Sequence, residues 1–144
     1  MKPDNQFDLV RVEFELTQRQ MDKYDGLLSQ IKTWTMTAWA ALSGWAFQSR
    51  TEEIIFLSVF VVLFFLFLDI SNKSFRQSYK ERRNEIASAL KIFFQTGNFP
   101  ENFISPNLPE HRPIKAIKYL FLPHVFLFYL PLIAISLLLY CLAF

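Results

Sequence analysis

Two apolar runs dominate the first half of the chain, TWTMTAWAALSGWAF (Thr33–Phe47) and IIFLSVFVVLFFLFL (Ile54–Leu68), with only the polar stretch QSRTEE (Gln48–Glu53) between them. With their flanks, each approaches the roughly 20 residues an α-helix needs to cross a bilayer core of about 30 Å. The connector is too short for anything but a tight reversal, so the pattern predicts an antiparallel transmembrane hairpin over 31–68. A third run, from Tyr119 to Phe144, carries no formal charge.

The flanking segments have helical periodicity. Val10, Phe14, Thr17, Met21, Tyr24, Leu28 and Ile31 are spaced alternately by four and three residues, which places them on one helical stripe. Residues 10–16 also alternate strictly, as a half-buried strand does, so two local signals compete there. Gly26 weakens the helix by roughly 1 kcal/mol relative to alanine and predicts a bend. No Pro or Gly interrupts Ile54–Gln95, so the second span is predicted to continue as a helix. Its stripe is Phe75, Tyr79, Ile86, Leu90 and Phe93, with Arg82 and Arg83 filling the gap, and Gly97 is its stop signal. The two stripes can pair as a stalk. Four prolines in Pro100–Pro113 exclude a long helix there. Phe99, Phe103, Ile104 and Leu108 predict that this loop docks rather than hangs free. Pro113 suits the first turn of the last helix, and Tyr119–Phe144 would be about 39 Å long if helical throughout, so tilt or a kink at Pro123 or Pro131 is expected.

The organisation read from the pattern is all-α and integral to a membrane. It comprises an N-terminal helix (1–30), the hairpin (31–68), a basic helix (69–95), a proline-rich loop (96–113) and a third transmembrane helix (114–144). Composition agrees: 52% of the 144 residues are hydrophobic, 17% are aromatic and mean hydropathy is +0.20. Cations crowd the segments before the first run and between the second and third, whereas the hairpin tip has only Arg50 beside Glu52 and Glu53. The positive-inside rule then puts the N-terminus and the middle segment in the cytoplasm and the C-terminus outside. In a bacterial cell this is a multi-pass protein of the inner membrane. Met1 is followed by polar residues, so the hairpin rather than a cleaved leader is the expected insertion signal.

A net charge of +2 gives no global basic field of the kind nucleic-acid binding uses, and nucleic acid stays open as a partner. Cys141 is the only cysteine, which excludes an intrachain disulfide and a cysteine metal site; its apolar helix predicts an inert structural thiol. Three glycines leave no room for a phosphate loop, and neither HExxH nor a Ser/His/Asp set occurs. No enzyme, cofactor or metal is expected. His124 is either a functional group at the bilayer's inner edge or a histidine bonded to a backbone carbonyl. Asp69 and Lys73 form an i,i+4 pair read as the end of the second span.

Two sets of side chains remain as candidate sites. Thr33, Thr37, Ala41, Gly44 and Gln48 recur on one face of the first span, a ridge of small and polar groups. It serves either close helix packing or the lining of a water path in an oligomer. Trp34 and Trp45 suit the two membrane interfaces, and Trp39, midway, is a packing residue. Arg76, Lys80, Arg82 and Arg83, interleaved with Phe75 and Tyr79, are either an anchor on anionic lipid headgroups or an anion site for a phosphate-bearing ligand such as a nucleotide.

A polar helix with KYDGLL (Lys23–Leu28), a two-span hairpin and a basic helix with SYKERRNEI (Ser78–Ile86) resembles the layout of the SLATT superfamily, small bacterial membrane proteins of anti-phage systems. The resemblance covers about residues 17–90, and the third run departs from the two-span pattern. It implies a pore-forming homo-oligomeric effector that injures the inner membrane when a nucleotide signal or a regulatory partner protein releases it. The other reading is a non-channel anchor or adaptor that recruits a soluble partner.

Overall fold

The computed structural model describes residues 3–107, 109 and 119–143. Its helices are α1 (Pro3–Ser49), α2 (Glu52–Thr96) and α3 (Pro123–Ala143), and no strand occurs among the described residues. The alternating segment 10–16 is helical. Val10 and Glu13 are its buried positions, continued by Thr17 and Met21, while Val12 and Leu16 face out; burial against another helix selects the 3.6-residue period over the two-residue one. The helix also runs through Gly26 without a break.

Two helix ends are set by left-handed residues. Arg50 has φ 53°, and the Thr51 N–H donates to the Ala46 carbonyl across 3.3 Å. That is the long bond of a Schellman cap, with Arg50 in the place glycine usually takes. Only Arg50 and Thr51 separate α1 from α2, so the reversal is shorter than the six polar residues suggest. Glu52 and Glu53 lie in the first turn of α2, where negative charge favours the helix dipole. Gly97, with φ 77°, ends α2 by donating to Phe93 O at 2.8 Å, as the stop signal predicts.

The chain divides into two compact units. Unit 1 contains Met1–Asp25 and Phe75–Arg112. Its α1 and α2 segments run antiparallel, because the α2 partner moves backwards as the α1 number rises. Phe7 stacks on Phe93 with centroids 5.5 Å apart, and Tyr24 meets Tyr79 at 5.8 Å and Phe75 at 5.9 Å. Ile86 is fully buried. The proline-rich loop continues this aromatic stack, with Phe99 on Phe93 at 4.5 Å and Phe103 on Phe99 at 5.7 Å. Ile104 departs from expectation: its side chain is 71% exposed, and its carbonyl rather than its side chain makes the attachment. Leu108, His111 and Pro113 lie outside the described residues.

Unit 2 contains Gly26–Ser74 and Pro113–Phe144. Its core is Val62, Val125, Tyr129 and Leu132, flanked by Trp39, Phe65, Leu66 and Phe128. Trp39 packs here as its mid-helix position implied, and its Nε1–H donates to Ser136 Oγ at 2.8 Å. The α3 helix starts at Pro123, after a 3₁₀ turn over 119–121. Proline has no N–H to give and is accommodated in a first turn, where Leu122 O instead accepts from Val125 N and Phe126 N. At 21 residues, α3 is about 32 Å long, which removes the length excess of a helix begun at Tyr119. Pro131 stays inside it.

Helices α2 and α3 are each long and apolar enough to cross a membrane. Helix α1 has no stretch of that apolarity, because threonines, a serine, a glycine and three tryptophans dilute Thr33–Phe47.

The cap at Arg50 generates a stability prediction. A side chain at positive φ costs the helix end about 1 kcal/mol relative to glycine. Arg50→Gly should raise the unfolding free energy in detergent by roughly 0.5–1 kcal/mol, and Arg50→Val should lower it.

Candidate functional site

The ridge on α1 lies in unit 2, and all five of its members, Thr33, Thr37, Ala41, Gly44 and Gln48, are exposed. Thr33 and Thr37 donate their hydroxyl protons to Ser29 O and Thr33 O, one turn back, at 3.2 and 3.0 Å. A Cβ added at Gly44 would meet nothing within 4 Å. Trp34 and Trp45 are exposed beside the ridge. The face turned inward is a second polar series, with Thr35 and Ser43 buried and Trp39 on Ser136. Both faces of α1 are therefore partly polar.

The six side chains of the basic helix do not converge on an open site. Arg76 grips Asp25, with Nη2 3.0 Å from Oδ2. Arg83 donates to Gln18 Oε1 at 3.3 Å and to Asn84. Phe75 and Tyr79 are occupied by Tyr24. Lys80 remains exposed.

Arg82 is buried, and each of its three nitrogens has a partner. Its Nε donates to Glu13 Oε1 at 2.8 Å, Nη1 to Glu85 Oε2 at 3.0 Å and Nη2 to Ile104 O at 2.7 Å, while the Phe103 ring lies 5.4 Å away. Glu13 in turn accepts from the Ser105 hydroxyl and from the Asn107 N–H, at 3.1 Å for the latter. One carboxylate on α1 thus ties down both α2 and the loop. Burial pushes the Glu13 carboxyl up, but Arg82, Ser105 and Asn107 outweigh it and hold it below the usual range. The groove beside Arg82, about 430 Å³, is walled by Ala89, Ile92 and Phe103 and carries Glu85 on its rim.

Sequence reasoning missed the burial of two acids, Glu13 and Asp69. Glu13 shares the buried face of Val10, Thr17 and Met21, and that spacing was the available signal. Asp69 and Lys73 are not an exposed end-of-span pair: Asp69 is 0% and Lys73 8% exposed, and Nζ lies 3.0 Å from Oδ2. The sign was again phase, since Ser58, Val62, Phe65, Asp69 and Lys73 recur every three or four residues. His124 sits exposed at the start of α3. Cys141 is exposed rather than packed. Among the described residues no group of three His, Cys, Asp or Glu side chains could hold a metal ion.

The chain is thus an all-α protein with two helices of membrane-crossing length and apolarity. Comparison finds no family model, no curated protein and no solved structure that matches it.

The Glu13 cluster predicts an acid-sensitive loop. A carboxyl whose folded pKa is depressed contributes stability that is complete above its unfolded pKa of about 4.3. That contribution is lost as pH falls through the lower folded value. The protection factor of the Asn107 amide, its exchange rate relative to the intrinsic rate at the same pH, should therefore fall on acidification in that window. Glu13→Gln should remove this pH dependence and cost roughly 2 kcal/mol at neutral pH, the range for a hydrogen bond to a charged group.

Proposed function

We propose that this chain is a membrane protein that works as a homo-oligomer, with the outward ridge of α1 brought against other copies to border a water path that permeabilises the membrane when triggered. The observation that carries this reading is the exposure of all five ridge residues, Thr33, Thr37, Ala41, Gly44 and Gln48, on a helix whose neighbours expose Phe60, Phe64, Phe67 and Leu127. Those apolar faces suit acyl chains. The ridge does not, since the Gln48 amide and the remaining hydroxyl lone pairs lose their partners in hydrocarbon. Small residues at Ala41 and Gly44 let a second helix approach closely. A path of hydroxyls and amides has no formal charge and would select weakly among ions.

The layout shared with SLATT proteins supports an effector role in bacterial defence, with the N-terminus in the cytoplasm and a nucleotide or partner protein as trigger. A phosphate approaching the basic helix would meet Lys80 first. Arg76 and Arg82 would have to leave Asp25 and Glu13. A second reading is the anchor that recruits a soluble partner. It draws support from unit 1, where Leu9, Val12 and Leu16 form an exposed apolar stripe and Phe94 is 74% exposed.

Induced expression distinguishes the two. An oligomeric pore should depolarise cells and admit dye, and Thr37→Leu or Gly44→Leu should reduce both at matched expression, while Leu63→Ala should change them little. Full permeabilisation by both ridge variants would remove this face as the pore, and crosslinking in native membranes that yields only monomer would remove the oligomer. Harmless expression of wild type, with loss of partner capture in Val12→Asp, would favour the anchor.

A further inference from the structure

Inside unit 2 the three helices bring polar groups to one point. From α2, Asp69 places Oδ2 on Lys73 Nζ, 3.0 Å away. Its other oxygen, Oδ1, is the one buried side-chain N or O atom without a hydrogen-bond partner among the described residues. From α3, the Tyr129 hydroxyl reaches the same turn of α2, at the carbonyl of Phe65 four residues before Asp69, and it is within hydrogen-bond reach of the Thr35 hydroxyl of α1. Its own donation, to Phe65 O, spans 3.5 Å, the limit of a useful bond. Thr35 Oγ1 has given its proton to Ile31 O at 2.7 Å, which leaves its lone pairs. His124 and Lys32 are close enough to feel the same charges, and Lys32 rests 5.6 Å from the Phe128 ring centroid.

A carboxylate oxygen withdrawn from water without a donor is costly, more so than a neutral group. The surroundings specify what can relieve it. The visitor must donate to Asp69 Oδ1, must be small, and gains from a second contact to a hydroxyl. Four oxygens from three helices could in principle suit a hard monovalent cation. Lys73 on the carboxylate itself and Lys32 nearby make that expensive, since a third positive charge would enter a pocket of low dielectric. A neutral donor meets no such opposition. We propose that the Asp69–Tyr129–Thr35 junction is a binding site for a single buried water, which donates to Asp69 Oδ1 and to Thr35 Oγ1 and accepts from the Tyr129 hydroxyl. Three partners are the usual complement of an internal water. The exchange replaces the long Tyr129 bond with a shorter one and links α1, α2 and α3 through one molecule. This site is separate from the outward ridge and stands whether or not the chain forms pores.

The test uses the full-length chain in lipid bilayers, carbon-labelled, with magnetisation transferred from water protons and detected by solid-state NMR. At mixing times too short for proton exchange through the Lys73 ammonium, 3.0 Å from Oδ2, the Asp69 carboxyl carbon should receive water magnetisation although Asp69 is fully buried, while Val62, equally buried, should stay silent. Tyr129→Phe, which removes one partner, should roughly halve the Asp69 transfer. Thr35→Val should do the same and serves if the first variant does not fold. Silence at Asp69 in wild type would overturn the site. So would an Asp69 signal that neither variant changes. An Asp69 signal that shifts when sodium is exchanged for choline would identify a bound cation and overturn water as the occupant.

Discussion

A charge taken out of water must be given back its partners, and unit 1 is built around one place where this is done completely. The Glu13 carboxylate accepts from Arg82, Ser105 and Asn107, and Arg82 donates also to Glu85 and the Ile104 carbonyl. Buried pairs of this kind contribute little net stability compared with apolar residues of the same shape, yet removing one partner is severe. Their effect here is geometric. The pair fixes which turn of α1 faces which turn of α2, and it pins a loop that has almost no secondary structure of its own. The phenylalanines stacked from Phe7 through Phe93 to Phe103 supply the apolar burial that this polar pin orients.

The helices, their stripes and the stop at Gly97 were legible because they depend on spacing, and spacing is written in the chain. Phe75 and Tyr79 do meet Tyr24 of the N-terminal stripe, Phe93 meets Phe7 just ahead of that stripe, and Arg82 fills the gap between them as a buried group. The identity of its partner was not legible. Glu13 carries the same letter as the exposed Glu15, and only the three-dimensional register of two helices distinguishes them. Asp69 was misjudged for a related reason. A charge at the end of an apolar run reads as the point where a helix meets water, but phase along α2 puts it on the inner face with Val62. The interruption ahead of α3 was legible at Pro123, a named kink site, but an uncharged run does not say that residues 119–121 before it form a 3₁₀ turn.

The exposed surface of unit 2 is sorted by chemistry. Phe56, Phe60, Phe64 and Phe67 on α2, with Phe126, Leu127 and Leu130 on α3, form an apolar surface far larger than a water-facing domain tolerates. Helix α1 interrupts it with a face of threonine, alanine, glycine and glutamine. Polar groups near these helices are thus divided between an interior that satisfies most of them and one outward strip.

The two-residue turn at Arg50 and Thr51 has a genetic corollary. A turn closed by a Schellman cap has no slack, so added chain length in the hairpin cannot be absorbed there. One residue inserted between Thr35 and Trp39 would turn the preceding part of α1 by about 100° against the rest. Thr35 and Trp39 could then not both meet α3. Unit 2 should therefore tolerate changes of letter on its outer faces far more readily than changes of length, and its reading frame of helical turns is as strict as its choice of residues.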